Sequence, residues 1–176
     1  MDQSLQPQLK LFVDVNNTRG TKAKLKLLQD RCDDVGRYLL RVAFDPFFVL
    51  HINKLQNPKI DPVQLIDISE PTFAEFEALV EKLRNSPAIN SNLRQEVEGF
   101  VSRIVDVELR DILIKIITKS LNIGISKVNI NKAFPGLIFD KSVMLAKAEI
   151  LIAQTWDIAD IVYNIKFDGF RMIAQF

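Results

Sequence analysis

Val107-Glu108-Leu109-Arg110-Asp111-Ile112-Leu113-Ile114-Lys115-Ile116-Ile117-Thr118-Lys119-Ser120-Leu121 is the stretch on which the fold turns. By composition its isoleucines suit a strand as well as a helix. Spacing separates the two. Leu109, Ile112, Leu113, Ile116, Ile117 and Leu121 recur at three- and four-residue intervals and share one face of a 3.6-residue turn. Glu108, Asp111, Lys115 and Lys119 fall elsewhere on the cylinder, and the run is longer than an ordinary strand. The stretch predicts an amphipathic helix over 107–121 and, with it, a mainly α protein.

Working outward, most of 1–138 reads as helices separated by short polar turns. Leu9, Leu11, Phe12 and Val15 predict a helix over 7–15, ended by Asn16-Asn17-Thr18-Arg19-Gly20. Thr21 is the expected N-cap of a helix through 31, and a further helix is expected over 35–44. Pro46 restarts the chain into an expected short apolar helix over 47–54, where the lone His51 reads as a helix-packing residue rather than a ligand. After a turn-rich, acidic 56–70, Thr72 and Glu75 have the spacing of a capping box for a helix to about 84. Ser91 opens the next helix, to about 104. Downstream of 121, Gly124 marks a turn, Ser126 can cap a short helix through 133, and Pro135-Gly136 ends it.

Beyond 136 the pattern changes. Residues 137–155 are ambiguous, and from Asp157 β-branched and aromatic residues flank Asp168-Gly169 as in a hairpin. The expected organisation is a helical domain over 1–138 followed, over 139–176, by the first strands of a second, incomplete domain.

The chain has 176 residues, 48% hydrophobic, which suffices for one well-buried core. Its net charge of +1 excludes a global basic field, so any nucleic-acid role must rest on local patches. Cys32 is the single cysteine, which excludes an intramolecular disulfide and a paired-cysteine metal or redox site; a small buried or half-buried side chain is expected there. Met1-Asp2-Gln3-Ser4 lacks the features of a signal peptide. No run approaches the roughly 18 apolar residues of a membrane span. A monomeric cytoplasmic protein is expected (host cytoplasm if the source is viral), with no membrane partner and no metal site within these residues.

Two segments are locally basic. Residues 15–29 hold Arg19, Lys22, Lys24 and Lys26, and 112–139 hold Lys115, Lys119, Lys127 and Lys132, neither with an acid. In each a glycine turn leads to a helix start carrying Thr21 or Ser126, where free N–H groups and the helix dipole favour a phosphate. Thr21, Lys22, Lys24, Lys119, Gly124, Ser126, Lys127 and Lys132 are the candidate nucleic-acid contacts, with the amides of Asn129 and Asn131 nearby. Charge patterning alone fits two solvated helix faces better. Lys166-Phe167-Asp168-Gly169-Phe170-Arg171 is the other constellation. A lysine amine attacks phosphorus only when deprotonated, and a following Gly allows a nucleotide to approach closely. On spacing alone, a surface hairpin with an Asp-Gly turn explains it equally well.

This hexapeptide resembles the K-x-D-G-x-R motif shared by ATP-dependent DNA ligases, RNA ligases and mRNA-capping enzymes. Leu121-Asn122-Ile123-Gly124-Ile125-Ser126 is similar to the leucine-x-x-glycine turn at the end of the helical DNA-binding domain of DNA ligases, with Asn122 where cellular ligases commonly carry a basic residue. Lys132, Pro135, Gly136 and Leu137, then Met144-Leu145-Ala146, together with Thr21-Lys22-x-Lys24, look most like the ligases of T-even phages.

The resemblance implies ATP and Mg2+ as cofactors and nicked duplex DNA as partner. Lys166 would become a lysyl-AMP, Asp168 and Gly169 would line the nucleotide pocket, and Arg171 would lie near the ribose or the nick 5′-phosphate. Asn164 stands where many ligases carry a glutamate, so no role is assigned to it. With the metal-binding carboxylates and further domains of such enzymes beyond 176, the chain as written is expected to bind DNA without sealing it. A stand-alone DNA-binding remnant and an RNA-ligase or capping-type nucleotidyltransferase are the competing readings. The long helical segment before Lys166 counts against the last.

Overall fold

Seven helices form among the described residues, 4–57 and 69–139, of the computed structural model: α1 (Gln6–Asn17), α2 (Thr21–Arg31), α3 (Asp34–Phe44), α4 (Phe73–Asn85), α5 (Ser91–Ser102), α6 (Val107–Ile117) and α7 (Lys127–Ala133). All the described residues lie in one unit, Met1–Lys141. Most helices start where a short polar side chain can take up a free N–H. Asp33 accepts from Gly36 N at 2.9 Å, Asn90 from Leu93 N at 2.8 Å and Asp106 from Glu108 N at 2.8 Å. At α4 the expected capping box is complete: Thr72 Oγ1 accepts from Glu75 N at 3.3 Å, while Glu75 Oε2 accepts from Thr72 N at 2.8 Å. Each such cap stabilises its helix by about 1 kcal/mol.

Helix α1 lies against α2, α3 and α6; α3 and α5 also pack on α6, and α7 lies on α2. The predicted apolar faces meet in one core. Leu9, Phe12 and Val15 of α1, Leu39 and Leu40 of α3, Phe76 and Val80 of α4, and Leu113, Ile116 and Ile117 of α6 are all but inaccessible. Burial of each such side chain stabilises the fold by roughly 1.5–3 kcal/mol. Cys32 is buried as expected, and burial, reinforced by Asp33, pushes its thiol up to about 12. Among the described residues no helix is long and apolar enough to cross a membrane.

Three local expectations are corrected. Residues 47–54 do not form a helix. Phe48, Leu50 and Ile52 are buried while Phe47, Val49 and His51 are exposed, an alternation that no helix gives. The Asp45 carboxylate accepts from Phe47 N at 2.9 Å and turns the chain at Pro46, while Lys119 Nζ takes up the carbonyls of Asp45 and Phe48. His51 accordingly lies exposed, with φ of 55°, rather than packed in a helix.

The helix predicted to 121 ends at Ile117. Lys119, with φ of 56°, lets Ser120 N reach Lys115 O at 2.9 Å and its own N–H reach Ile116 O at 3.1 Å, which closes the helix end. Leu121, Ile123 and Ile125 are buried from a non-helical segment, with Asn122, Gly124 and Ser126 exposed in alternation. The third correction concerns α2, where Gly20 takes the N-cap place with φ of 87° and Thr21 becomes the first helical residue, without a side-chain cap. The hairpin expected after Asp157 lies outside the described residues; among them there is an isolated bridge, Ser4 to Thr72, and no strand.

Candidate nucleic-acid interface

Lys24 joins the two basic segments. From the second turn of α2 its Nζ donates to Ile123 O at 2.6 Å and to Asn16 O at 3.4 Å, so one ammonium ties the end of α1 and the 121–126 segment to α2. Gly124 makes that approach possible. Its φ is +69°, where a side chain is strained, and a Cβ there would come within 2.6 Å of Lys24 Nζ. Its N–H donates to Asn122 Oδ1 at 3.1 Å, a use for the residue that replaces the basic one of the resembled turn.

Around this junction the cations stay exposed. Thr21 and Lys22 stand at the start of α2, where the Gly20 cap leaves the first-turn N–H groups without a side-chain acceptor. Lys26 lies one turn on from Lys22, on the same face. Lys127 and Lys132 are exposed on α7, which packs on α2. Among the described residues none of Arg19, Lys22, Lys26, Lys127 and Lys132 has an ion-pair partner. The Ser126 hydroxyl accepts from Asn129 N at 3.4 Å as the cap of α7, which leaves its O–H proton free to donate.

Lys119 is placed differently. Its stem is half-buried and its Nζ lies 2.7 Å from Phe48 O as well as on Asp45 O. Burial lowers its pKa; the Asp45 carboxylate opposes this and the charge of nearby Lys127 adds to it. An ammonium carries three N–H donors, so Lys24 and Lys119, each with two carbonyls engaged, keep one donor apiece for an anion. The Lys24–Ile123 bond thus brings the α2 residues Thr21, Lys22 and Lys24 near the segment that carries Gly124, Ser126 and Lys127. Lys119 lies near Lys127 but is half-buried, and Lys132 is at the far end of α7.

Two exposed arginines of α3 lie outside the residues that the sequence marks as candidates. Arg37 and Arg41, exposed on α3, line an open groove of about 590 Å³ with the loop from Ala133 to Leu137. Their four-residue spacing on the polar side of a predicted helix was a visible signal; the loop opposite them was not. Asn131 shapes that loop, with Nδ2 donating to Ile138 O at 2.7 Å and Oδ1 accepting from Ile138 N at 2.9 Å. Lys166, Asp168, Gly169 and Arg171 lie outside the described residues.

No protein-family profile matches the chain. In an alignment of 173 positions that covers 94% of the chain, it is 27% identical to the DNA ligase of Enterobacteria phage T4, and the same figures hold for that of Enterobacteria phage T6. The chain spans about a third (32%) of the length of these curated relatives. By this likeness the chain is a distant homologue of the phage T4 and T6 DNA ligases.

Proposed function

We propose that the chain is the leading part of an ATP-dependent DNA ligase that seals nicks. In this reading a helical domain over 1–138 grips duplex DNA, and 139–176 begin the adenylating domain that carries the nucleophile. The likeness to phage DNA ligases over 94% of the chain carries the proposal. The K-x-D-G-x-R stretch at 166–171 and the surface of unpaired lysines support it independently.

DNA would be held by its phosphates. Thr21, Lys22, Ser126, Lys127 and Lys132 face solvent and are available to a backbone, whereas Lys24, Lys119 and Gly124 set the framework and offer at most one donor each. Such contacts carry no base information, as a nick-sealing enzyme requires. They make binding fall steeply with salt, by about 0.9 in log–log slope for each phosphate neutralised.

Chemistry would begin at Lys166. Its neutral amine would attack the α-phosphorus of ATP, lose a proton, and displace pyrophosphate by breaking the bond to the bridging oxygen, leaving a lysyl-AMP phosphoramidate. The nick 5′-phosphate displaces the lysine to give adenylated DNA, and the 3′-hydroxyl then displaces AMP to close the strand. By the resemblance of 166–171 to the nucleotidyltransferase motif, Asp168 and Gly169 would belong to the nucleotide pocket and Arg171 would sit near the ribose or the nick 5′-phosphate. Magnesium supplies charge neutralisation on the phosphates. Among the described residues no group of three His, Cys, Asp or Glu side chains is placed to hold it.

The test is the intact mass of the full-length gene product incubated with ATP and magnesium, beside a Lys166→Ala control. A gain of one AMP confined to the unaltered protein is the expected result. No gain in either protein would overturn the catalytic reading.

A further inference from the structure

We infer that the groove between α3 and the 133–137 loop is a second phosphate-binding site for the same duplex, with Arg37 and Arg41 as its donors. The inference rests on the DNA-binding reading above and names contacts which that reading does not supply.

The groove is built for an anion. No acid lines it. The Arg37 guanidinium lies 5.3 Å from the centre of the Phe134 ring, and that of Arg41 lies 5.4 Å from the centre of Phe48. A guanidinium held against a ring keeps its N–H edge for bidentate bonds to a phosphate, at less cost in side-chain freedom than a mobile lysine. Arg41 has no ion-pair partner among the described residues. Arg37 meets Asp34 at 3.2 Å, but both side chains are wet, at 47% and 96% exposure, and a solvated pair yields readily to a stronger anion. Arg84, which reaches the same Phe48 ring at 4.6 Å, is itself engaged with Glu81 at 2.7 Å.

Spacing supports a continuous backbone as the occupant. Residues one helical turn apart have Cβ atoms roughly 5–6 Å apart, so Arg37 and Arg41 can meet two neighbouring phosphates. Helix α7 bridges the two sites, with Lys127 at its start by Lys119 and Lys132 and Ala133 at its end by the groove. Its seven residues span roughly 10 Å, about three base-pair rises of 3.4 Å along the duplex axis. A strand tracking α7 would therefore pass from Lys127 to the groove.

The experiment is a salt titration of the full chain on a labelled nicked duplex, read by fluorescence anisotropy. Arg37→Gln/Arg41→Gln is compared with Lys22→Gln/Lys26→Gln and with Arg37→Lys/Arg41→Lys. The glutamine pair on α3 is expected to weaken binding at least tenfold and to flatten the log–log salt slope by about 1.8, two phosphates' worth. The lysine pair should keep the slope but bind several-fold more weakly, because charge remains and the fork is lost. Unchanged affinity and slope in the α3 glutamine pair would overturn the groove while leaving the α2 contacts to stand or fall by their own variant. If that pair melts early, the lysine pair decides: wild-type affinity overturns the inference and weakened binding at unchanged slope upholds it. An unaltered chain that binds no duplex would overturn the DNA-binding reading itself, and the groove with it.

Discussion

The α4–α5 side and the α2–α7 side of the molecule are similarly rich in charged residues, yet they use them in opposite ways. On α4 and α5 the charges answer one another. Lys82 pairs with Glu96, Arg84 with Glu81, and Arg103 with Glu75 at 2.8 Å while also donating to the carbonyls of Ser69 and Glu70. On α2 and α7, Lys22, Lys26, Lys127 and Lys132 face solvent with no ion-pair partner among the described residues. Exposed ion pairs add little stability, about 0–1 kcal/mol each, so their main consequence is local neutrality. A net charge of +1 over the whole chain thus conceals a local cluster of uncancelled lysines on one side.

That contrast can be broken most severely by removing the free charge. Replacing Lys22, Lys26, Lys127 and Lys132 together with Gln should flatten the salt dependence of duplex binding by about three to four in log–log slope, with stability nearly unchanged. Replacing Lys82 and Arg84 should leave the slope alone. Equal loss from both sides, in parallel anisotropy titrations, would end the distinction.

Within the basic side, Lys119 should behave unlike its neighbours. Lys119→Met keeps the stem but deprives the Asp45 and Phe48 carbonyls of their donor, at an expected cost of about 1–3 kcal/mol in urea unfolding. A melt matching the unaltered chain would show that the ammonium is no strut. Gly124→Ala should cost less, about 1–2 kcal/mol, from a side chain placed at positive φ against Lys24. Differential scanning calorimetry would detect the corresponding fall in Tm.

The smallest effect belongs to the neutralised side. The bond from Arg103, then that from the Thr72 N–H, holds the Glu75 carboxyl down at about 2 rather than 4.5. A carboxylate depressed in the folded state contributes stability above its unfolded pKa and loses it as the pH falls through the folded one. Thermal midpoints should therefore decline between about pH 4.5 and 2, and Glu75→Gln should flatten that decline. Because half-exposed groups are screened by solvent, the change should be slight. Identical pH profiles for the two proteins would remove Glu75 from the account.

Elements whose information is local are legible in the sequence. The Thr72–Glu75 box, the Ser126 cap and the three-and-four spacing of Leu109 to Ile117 each lie within a turn or two of chain, where backbone geometry alone relates the residues. Where two periodicities fit one short run, sequence could not choose. Phe48-Val49-Leu50-His51-Ile52 and Leu121 to Ser126 bury alternate residues, yet both were read as helix or turn. The choice came from lysines far away in the chain, Lys119 reaching back to Asp45 and Phe48 and Lys24 reaching forward to Ile123.

The candidate site divides along the same line. Its basic residues and their resemblance to ligase segments were visible in the sequence as types and spacings. Which ammonium is spent on a carbonyl, which stays in water, and which loop faces Arg37 and Arg41 depended on packing. A side chain's charge is written in its chemistry, but whether that charge is available is set by the partners that folding brings to it.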